Sequence, residues 1–256
     1  MQLTSLFILA ILAYGCAGKK LVTKNADILI ELQIKKRIPL YSYQKDQLAK
    51  DVKEFLNNQK PLIKKSLPII SKIELNPEKV DEQYYSLNSL YQELALQFSK
   101  LMGKYMAILD SKQQKEFKEN LESENRTLKR MNPDAQIEKI LERMKSLFGT
   151  ITGKQIELIK EQKSYFAGRH KLRVSRRELL HKEFFKIYKL DLSNESRASF
   201  FYEAFAKYQN NYPENPKNIE LIKKILLTLN TDQKAGFKNK IKELKEIINY
   251  YLETSY

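Results

Sequence analysis

A single cysteine, Cys16, stands in the whole chain of 256 residues, so no disulfide can form within it and any core must hold without one. Tryptophan is absent, and glycine and proline number seven each. So few breakers exclude collagen-like and low-complexity chains and leave long stretches in which helix is the natural conformation. No apolar run reaches the roughly 20 residues that a membrane-spanning helix requires. Charge is missing altogether from the first segment, Met1 to Gly15. The motifs of common chemistries are missing as well. There is no H-E-x-x-H pair, no cysteine cluster, no Gly-rich phosphate loop and no Gly-x-Ser-x-Gly elbow. The only histidines, His170 and His181, are too far apart along the chain to form a metal pair and suit structural roles. No catalytic residue, metal or cofactor is therefore expected, and the chain is not expected to be an enzyme.

What the uncharged segment does contain is a short apolar run, Leu3, Leu6, Phe7, Ile8, Leu9, Ile11 and Leu12, ending in Ala13-Tyr14-Gly15-Cys16. Such a run fits the hydrophobic region of a cleavable export signal. Leu12-Ala13-Tyr14-Gly15-Cys16 resembles the bacterial lipobox, with Leu ahead of the cysteine and Gly just before it. Tyr14 is bulkier than usual, and no Lys or Arg precedes the run. The resemblance implies a signal peptide over 1–15, lipidation of Cys16, a lipidated tether over 16–24 and a domain over 25–256, with a possible subdivision near 149–152. It places the domain in the cell envelope, held to a membrane by acyl chains. Ala17 after Cys16, in place of an inner-membrane retention Asp, favours the outer membrane, facing the periplasm. A lone free thiol in an oxidising compartment is a liability that acylation removes.

Hydrophobic residues make up 42% and charged residues 30%, the balance of a globular chain, and the net charge is +15. An excess of that size favours anionic partners, either an anionic envelope component or an acidic client protein. Export argues against nucleic acid. The alternative is a lysine-rich surface with no partner of its own. The excess concentrates between Lys160 and Lys189, where ten Lys and Arg face only Glu161, Glu178 and Glu183. Arg169, Arg173 and Arg177 follow i, i+4, i+8 spacing, and with Arg176 they form a candidate anion-binding row. The other reading is salt bridging to the Glu-rich stretch from Glu116 to Glu124. Phe184, Phe185, Phe200 and Phe201 are expected in the core.

Helical periodicity runs from about residue 24 onward, and no stretch alternates long enough for a strand. Ile28, Leu32 and Ile34 open a short amphipathic segment closed by Pro39, and Leu48, Val52, Phe55 and Leu56 share the next face. Pro61 and Pro68 punctuate the stretch beyond it, and Asn76-Pro77, Asn132-Pro133 and Asn215-Pro216 mark helix starts. The expected fold is all-α, an irregular multi-helix bundle of amphipathic helices. Three capping boxes recur inside it, pairing Asp110 with Gln113, Thr152 with Gln155 and Asn230 with Gln233, each preceded by an apolar residue. Tyr43-Gln44-Lys45-Asp46-Gln47 is a looser copy.

The lipobox cysteine followed by helices opened with such boxes resembles the uncharacterised bacterial DUF6279 family of lipoproteins. The sharpest segment runs from Leu109 through Asn125-Arg126, Arg143 and Ile151-Thr152-Gly153-Lys154-Gln155 to the Arg-rich stretch. The boxes are also similar to the Leu-Thr-x-x-Gln motifs of the periplasmic Spy and CpxP proteins. The resemblance implies an envelope lipoprotein with a non-enzymatic binding or scaffolding role. The alternative it implies is a periplasmic chaperone or stress-related protein, and more remotely an enzyme acting on envelope glycans or lipids.

Overall fold

The computed structural model describes residues 23–210 and 216–256; Cys16, the signal segment and Asn215 lie outside the described residues. The fold is all-α. Eleven α-helices occur among the described residues, and no strand. In chain order they are α1 (Ala26–Lys35), α2 (Ser42–Lys64), α3 (Ser66–Ser71), α4 (Val80–Ala107), α5 (Ser111–Lys129), α6 (Pro133–Phe148), α7 (Gly153–Lys160), α8 (Lys163–Ile187), α9 (Asn194–Asn210), α10 (Pro216–Leu226) and α11 (Thr231–Glu253). Asn76 opens a 3-10 turn, Pro77–Lys79, that leads into α4. Pro61 does not end a helix: it lies within α2, close enough to the C-terminal end that only one ladder bond is forgone.

Two apolar cores result. The larger one gathers Ile34 of α1, Leu48 and Val52 of α2, Tyr105 of α4, Phe117 of α5, Phe184 of α8, Phe201 of α9 and Tyr251 of α11. The smaller one joins Ile137 and Phe148 of α6, Ile159 of α7, Leu221 and Ile225 of α10, and Leu229. It draws on both sides of residues 149–152, so no boundary between cores falls there. Helices α8 and α11 reach both, α8 through Phe166 and Phe184, α11 through Phe237 and Tyr251. Glycine permits two close approaches. A Cβ added at Gly103 of α4 would stand 2.9 Å from the Ala198 carbonyl oxygen of α9, and one at Gly236 of α11 would stand 2.7 Å from the Phe148 carbonyl oxygen. Gly149, at φ 83°, ends α6 in a backbone region that suits glycine.

On α1 the buried row is Ala26, Ile30 and Ile34, continued by Ile38 beyond the helix end. This corrects the expectation for Ile28 and Leu32, which face outward at 50% and 56% exposure. The reason is angular. Two residues along a helix is about 200° of rotation, so Ile34 and Leu32 cannot share the core side. The same geometry separates Phe201, fully buried, from its neighbour Phe200, which is exposed and so departs from the expected core placement.

The capping boxes do more than start helices. Asp110 accepts from the Gln113 amide at 2.8 Å, Thr152 from that of Gln155 at 3.4 Å and Asn230 from that of Gln233 at 2.9 Å. A fourth box opens α2, but it is Tyr41 with Gln44, where Gln44 Oε1 accepts from the Tyr41 amide at 2.8 Å. Gln47, placed at the looser copy's end by sequence, instead donates to Asp51. The four boxes then interlock in two pairs. Gln155 Nε2 donates to Gln233 Oε1 at 3.0 Å and Gln233 Nε2 returns the bond to Gln155 Oε1 at 2.8 Å. Each also reaches the turn ahead of its partner's cap, Gln233 to the Thr150 carbonyl and Gln155 to Thr228 Oγ1. In the larger core Gln113 Nε2 donates to Gln44 Oε1 at 2.7 Å and to the Pro39 carbonyl at 2.6 Å. There the Tyr41 phenol also donates to the Asp110 carboxylate, at 2.7 Å. All four glutamines are buried. Beneath them sit Leu48, Phe117 and Ile159, each four residues past its glutamine and buried, with Phe237 half-buried in the fourth place.

A buried amide that loses its partner keeps its desolvation penalty, typically about 1–3 kcal/mol. Gln155→Leu should lower unfolding free energy by about that amount in urea titrations, and so should Gln233→Leu. The double variant should lose clearly less than the two singles together, since neither amide is then left facing a missing partner.

Candidate functional site

The strongest candidate in the sequence is the basic stretch, and it forms most of α8. Its arginines share one helix but not one destination. Arg177 turns to α5 and bonds Glu124 at 2.7 Å; the same carboxylate takes Arg37, from beyond α1, at 2.9 Å. Arg176 lies over the Tyr208 ring of α9, 4.8 Å from its centroid, and donates to the Tyr208 carbonyl. Arg173 folds back along its own helix to His170 Nδ1 at 3.0 Å. Arg169 is half-buried one turn earlier. The structure thus spreads Arg173, Arg176 and Arg177 over three internal contacts and does not gather them into one outward cradle.

Both histidines belong to the same seam. His170 is buried and donates from Nε2 to the Leu128 carbonyl at 2.7 Å, which leaves Nδ1 as the acceptor for Arg173. His181 Nδ1 accepts from the Asn125 side-chain amide at 3.0 Å. Burial, and then the nearby Arg177 charge, push the His181 pKa down to about 4. Burial works against the Glu124 carboxylate, but the hydrogen bond from Arg177 and the charge of Arg37 outweigh it and hold its pKa below the usual value. The α5–α8 seam is a packed polar contact, closed at its edge by Lys129 and Glu178.

A second polar cluster was not legible as a set. Asp51 of α2 accepts from the Tyr105 phenol at 2.7 Å and from Lys104, both on α4, and from Gln47 at 2.8 Å. Burial opposes the charge on Asp51, yet bonds from Lys104, Tyr105 and Gln47 keep its pKa below the ordinary range. Burial and the Asp51 bond raise the Tyr105 phenol far above its usual range. Three donors on one carboxylate make it a brace between α2 and α4. The separation of Asp51 from Lys104 by most of α2 and α4 left no local signal for it.

No protein-family model, curated protein or solved structure matches the chain. Among the described residues no group of His, Cys, Asp and Glu could hold a metal ion, and no helix is long and apolar enough to cross a membrane.

What α8 offers outward is different from its arginines. Lys171, Leu172, Ser175, Leu179, Lys182 and Lys186 form its exposed face, with Leu179 62% exposed. Lysines bracket two leucines there, and Lys186 meets Glu183 on the same helix at 3.1 Å. This lysine and leucine face is the exposed side of α8.

The His181 shift has a consequence for stability. Its folded pKa of about 4 lies below the 6.5 of the free side chain, so the unfolded chain binds the proton first as pH falls. The contribution of neutral His181 is therefore complete above pH 6.5 and is lost between there and about 4. It amounts to about 3 kcal/mol at 1.36 kcal/mol per pKa step. Urea unfolding between pH 7 and 4 should show that decline, and His181→Gln should flatten it.

Proposed function

We propose that the chain is a lipid-anchored envelope protein whose helical domain binds or scaffolds other envelope components without catalysing a reaction. The observation that carries this reading is the uncharged apolar run closing on Gly15-Cys16, with Cys16 the sole cysteine of the chain. The carboxylates that gather polar partners, Asp51 and Glu124, are spent on helix-to-helix bonds, which supports a binding role over catalysis. Two or more acyl chains on Cys16 give stable attachment, whereas one gives only marginal binding. The outer membrane, facing the periplasm, is the proposed location.

One observation favours a second reading, that of a chaperone resembling Spy or CpxP. The exposed Leu172 and Leu179 among lysines on α8 are what an acidic or partly unfolded client would contact.

Metabolic labelling with palmitate tests the anchor. The wild-type chain should take label and sediment with membranes, and Cys16→Ser should do neither. Label on Cys16→Ser, or none on the wild type, overturns the anchor. The client reading is tested by aggregation of an acidic model substrate, which Leu172→Ser with Leu179→Ser should cease to suppress; suppression unchanged in that variant removes the α8 face from the account.

A further inference from the structure

Helix α1 carries an exposed apolar face. Ile28 is 50% exposed, Leu29 39% and Leu32 56%. Lys24 precedes Ile28 by four residues and Lys36 follows Leu32 by four, and both lysines are exposed. The two acids of the helix are already neutralised and mostly covered, Glu31 by Lys35 at 2.6 Å and Asp27 by Lys53 at 3.7 Å. What remains outward is three aliphatic side chains with an ammonium at each end.

The position of this helix in the fold is held firmly. The Tyr256 phenol donates to the Thr23 carbonyl at 2.8 Å, and the C-terminal residues are tied to α2 by Lys60 to the Thr254 carbonyl and Asn57 to the Tyr256 carbonyl. Thr23, seven residues after Cys16, is thereby fixed beside the C-terminal residues. Between Thr23 and Cys16 the intervening residues span at most about 25 Å when fully extended. A lipid on Cys16 would keep α1 within that reach of the headgroups.

We propose that the Ile28, Leu29 and Leu32 face of α1 docks on an anionic phospholipid surface, seating the domain against the membrane and setting its orientation. The deduced reach rests on Cys16 as the anchor. The apolar residues would enter the boundary between headgroups and acyl chains, and Lys24 and Lys36 would extend their ammonium groups to lipid phosphates. A second copy of the chain is a poor occupant. Two such faces laid together would bring four lysines close with no free acid on either helix.

The absence of tryptophan makes the test direct. The probe is the chain from residue 16 onward with Cys16→Ser, which contains both cores and no acyl group, carrying Leu32→Trp as its only tryptophan. A parallel chain carries Leu179→Trp on α8 as reference, and far-UV circular dichroism confirms that both are helical. Vesicles of phosphatidylglycerol mixed with phosphatidylcholine should shift the Leu32→Trp emission to the blue, and pure phosphatidylcholine vesicles should not. The Leu179→Trp emission should stay unchanged. Adding Lys24→Glu and Lys36→Glu should weaken vesicle affinity by about tenfold or more. The proposal is overturned by no shift, by equal shifts in both chains, by equal shifts with both vesicle types, or by a protein-concentration-dependent shift without vesicles, which would mark a second copy. Loss of the anchor would show separately. An unacylated Cys16 together with a shifted Leu32→Trp chain removes the tether and keeps the face, and the converse result removes the face and keeps the tether.

Discussion

Two pairs of buried glutamine side chains, one within each core, hold the helix starts of this protein together. In the smaller core Gln155 and Gln233 exchange hydrogen bonds in both directions, and each amide also serves its own cap. Each oxygen accepts from the backbone amide of its own cap and from the opposite glutamine. Each nitrogen donates to the opposite glutamine and to the turn that precedes the opposite helix. Every hydrogen-bonding position of two fully buried amides is used, which is the condition for burying them without a penalty. The geometry is demanding, because moving either helix start by an ångström or two would break several bonds at once. It therefore fixes α7 against α11, and the related Gln44–Gln113 bond fixes α2 against α5.

Five arginines turn to partners within the protein, while Arg126, Arg130 and Arg143 are exposed. Arg37, Arg173, Arg176, Arg177 and Arg197 all end on partners within the protein: a carboxylate, a histidine, backbone carbonyls or an aromatic face. A planar guanidinium can make several such bonds at a crowded seam, where an ammonium on a flexible stem makes fewer. Many lysines stay on the exposed faces, including those of α1 and α8 that surround aliphatic residues. The large positive excess is thus mainly a property of surfaces, and the basic helix α8 serves the fold with its arginines while presenting lysines and leucines to solvent.

Much of the fold could be read from spacing alone. The all-α class, the helix starts at Asp110, Thr152 and Asn230, and the buried face of α2 follow from local periodicity and capping chemistry. The failures have a common cause, a pattern matched by residue type without its neighbours in space. Ile28 and Leu32 share with Ile34 an apolar side chain, but the helix turns the first two away from the third. Tyr43 and Gln47 match a box pattern loosely, yet the cap lies at Tyr41, where Leu40 and Pro39 complete the turn that Gln113 contacts. The arginines do form a row on one helix, and Glu124 of the Glu-rich stretch does take Arg177, but nothing in the spacing told where Arg173 and Arg176 would end.

By itself the sequence determined the helical class, the positions of most caps, the apolar run ahead of Cys16 and the concentration of positive charge in one helix. These depend on interactions within a few residues, which a linear pattern records. Tertiary structure alone decided which capping boxes meet, since the partners lie 69 and 78 residues apart and any glutamine could in principle face any other. It also decided that Arg173, Arg176 and Arg177 of α8 are spent on internal contacts, and that Ile28, Leu29 and Leu32 of α1 face outward. Each of those outcomes depends on which surfaces the two cores cover, and burial is a property of the assembled helices and not of any one segment.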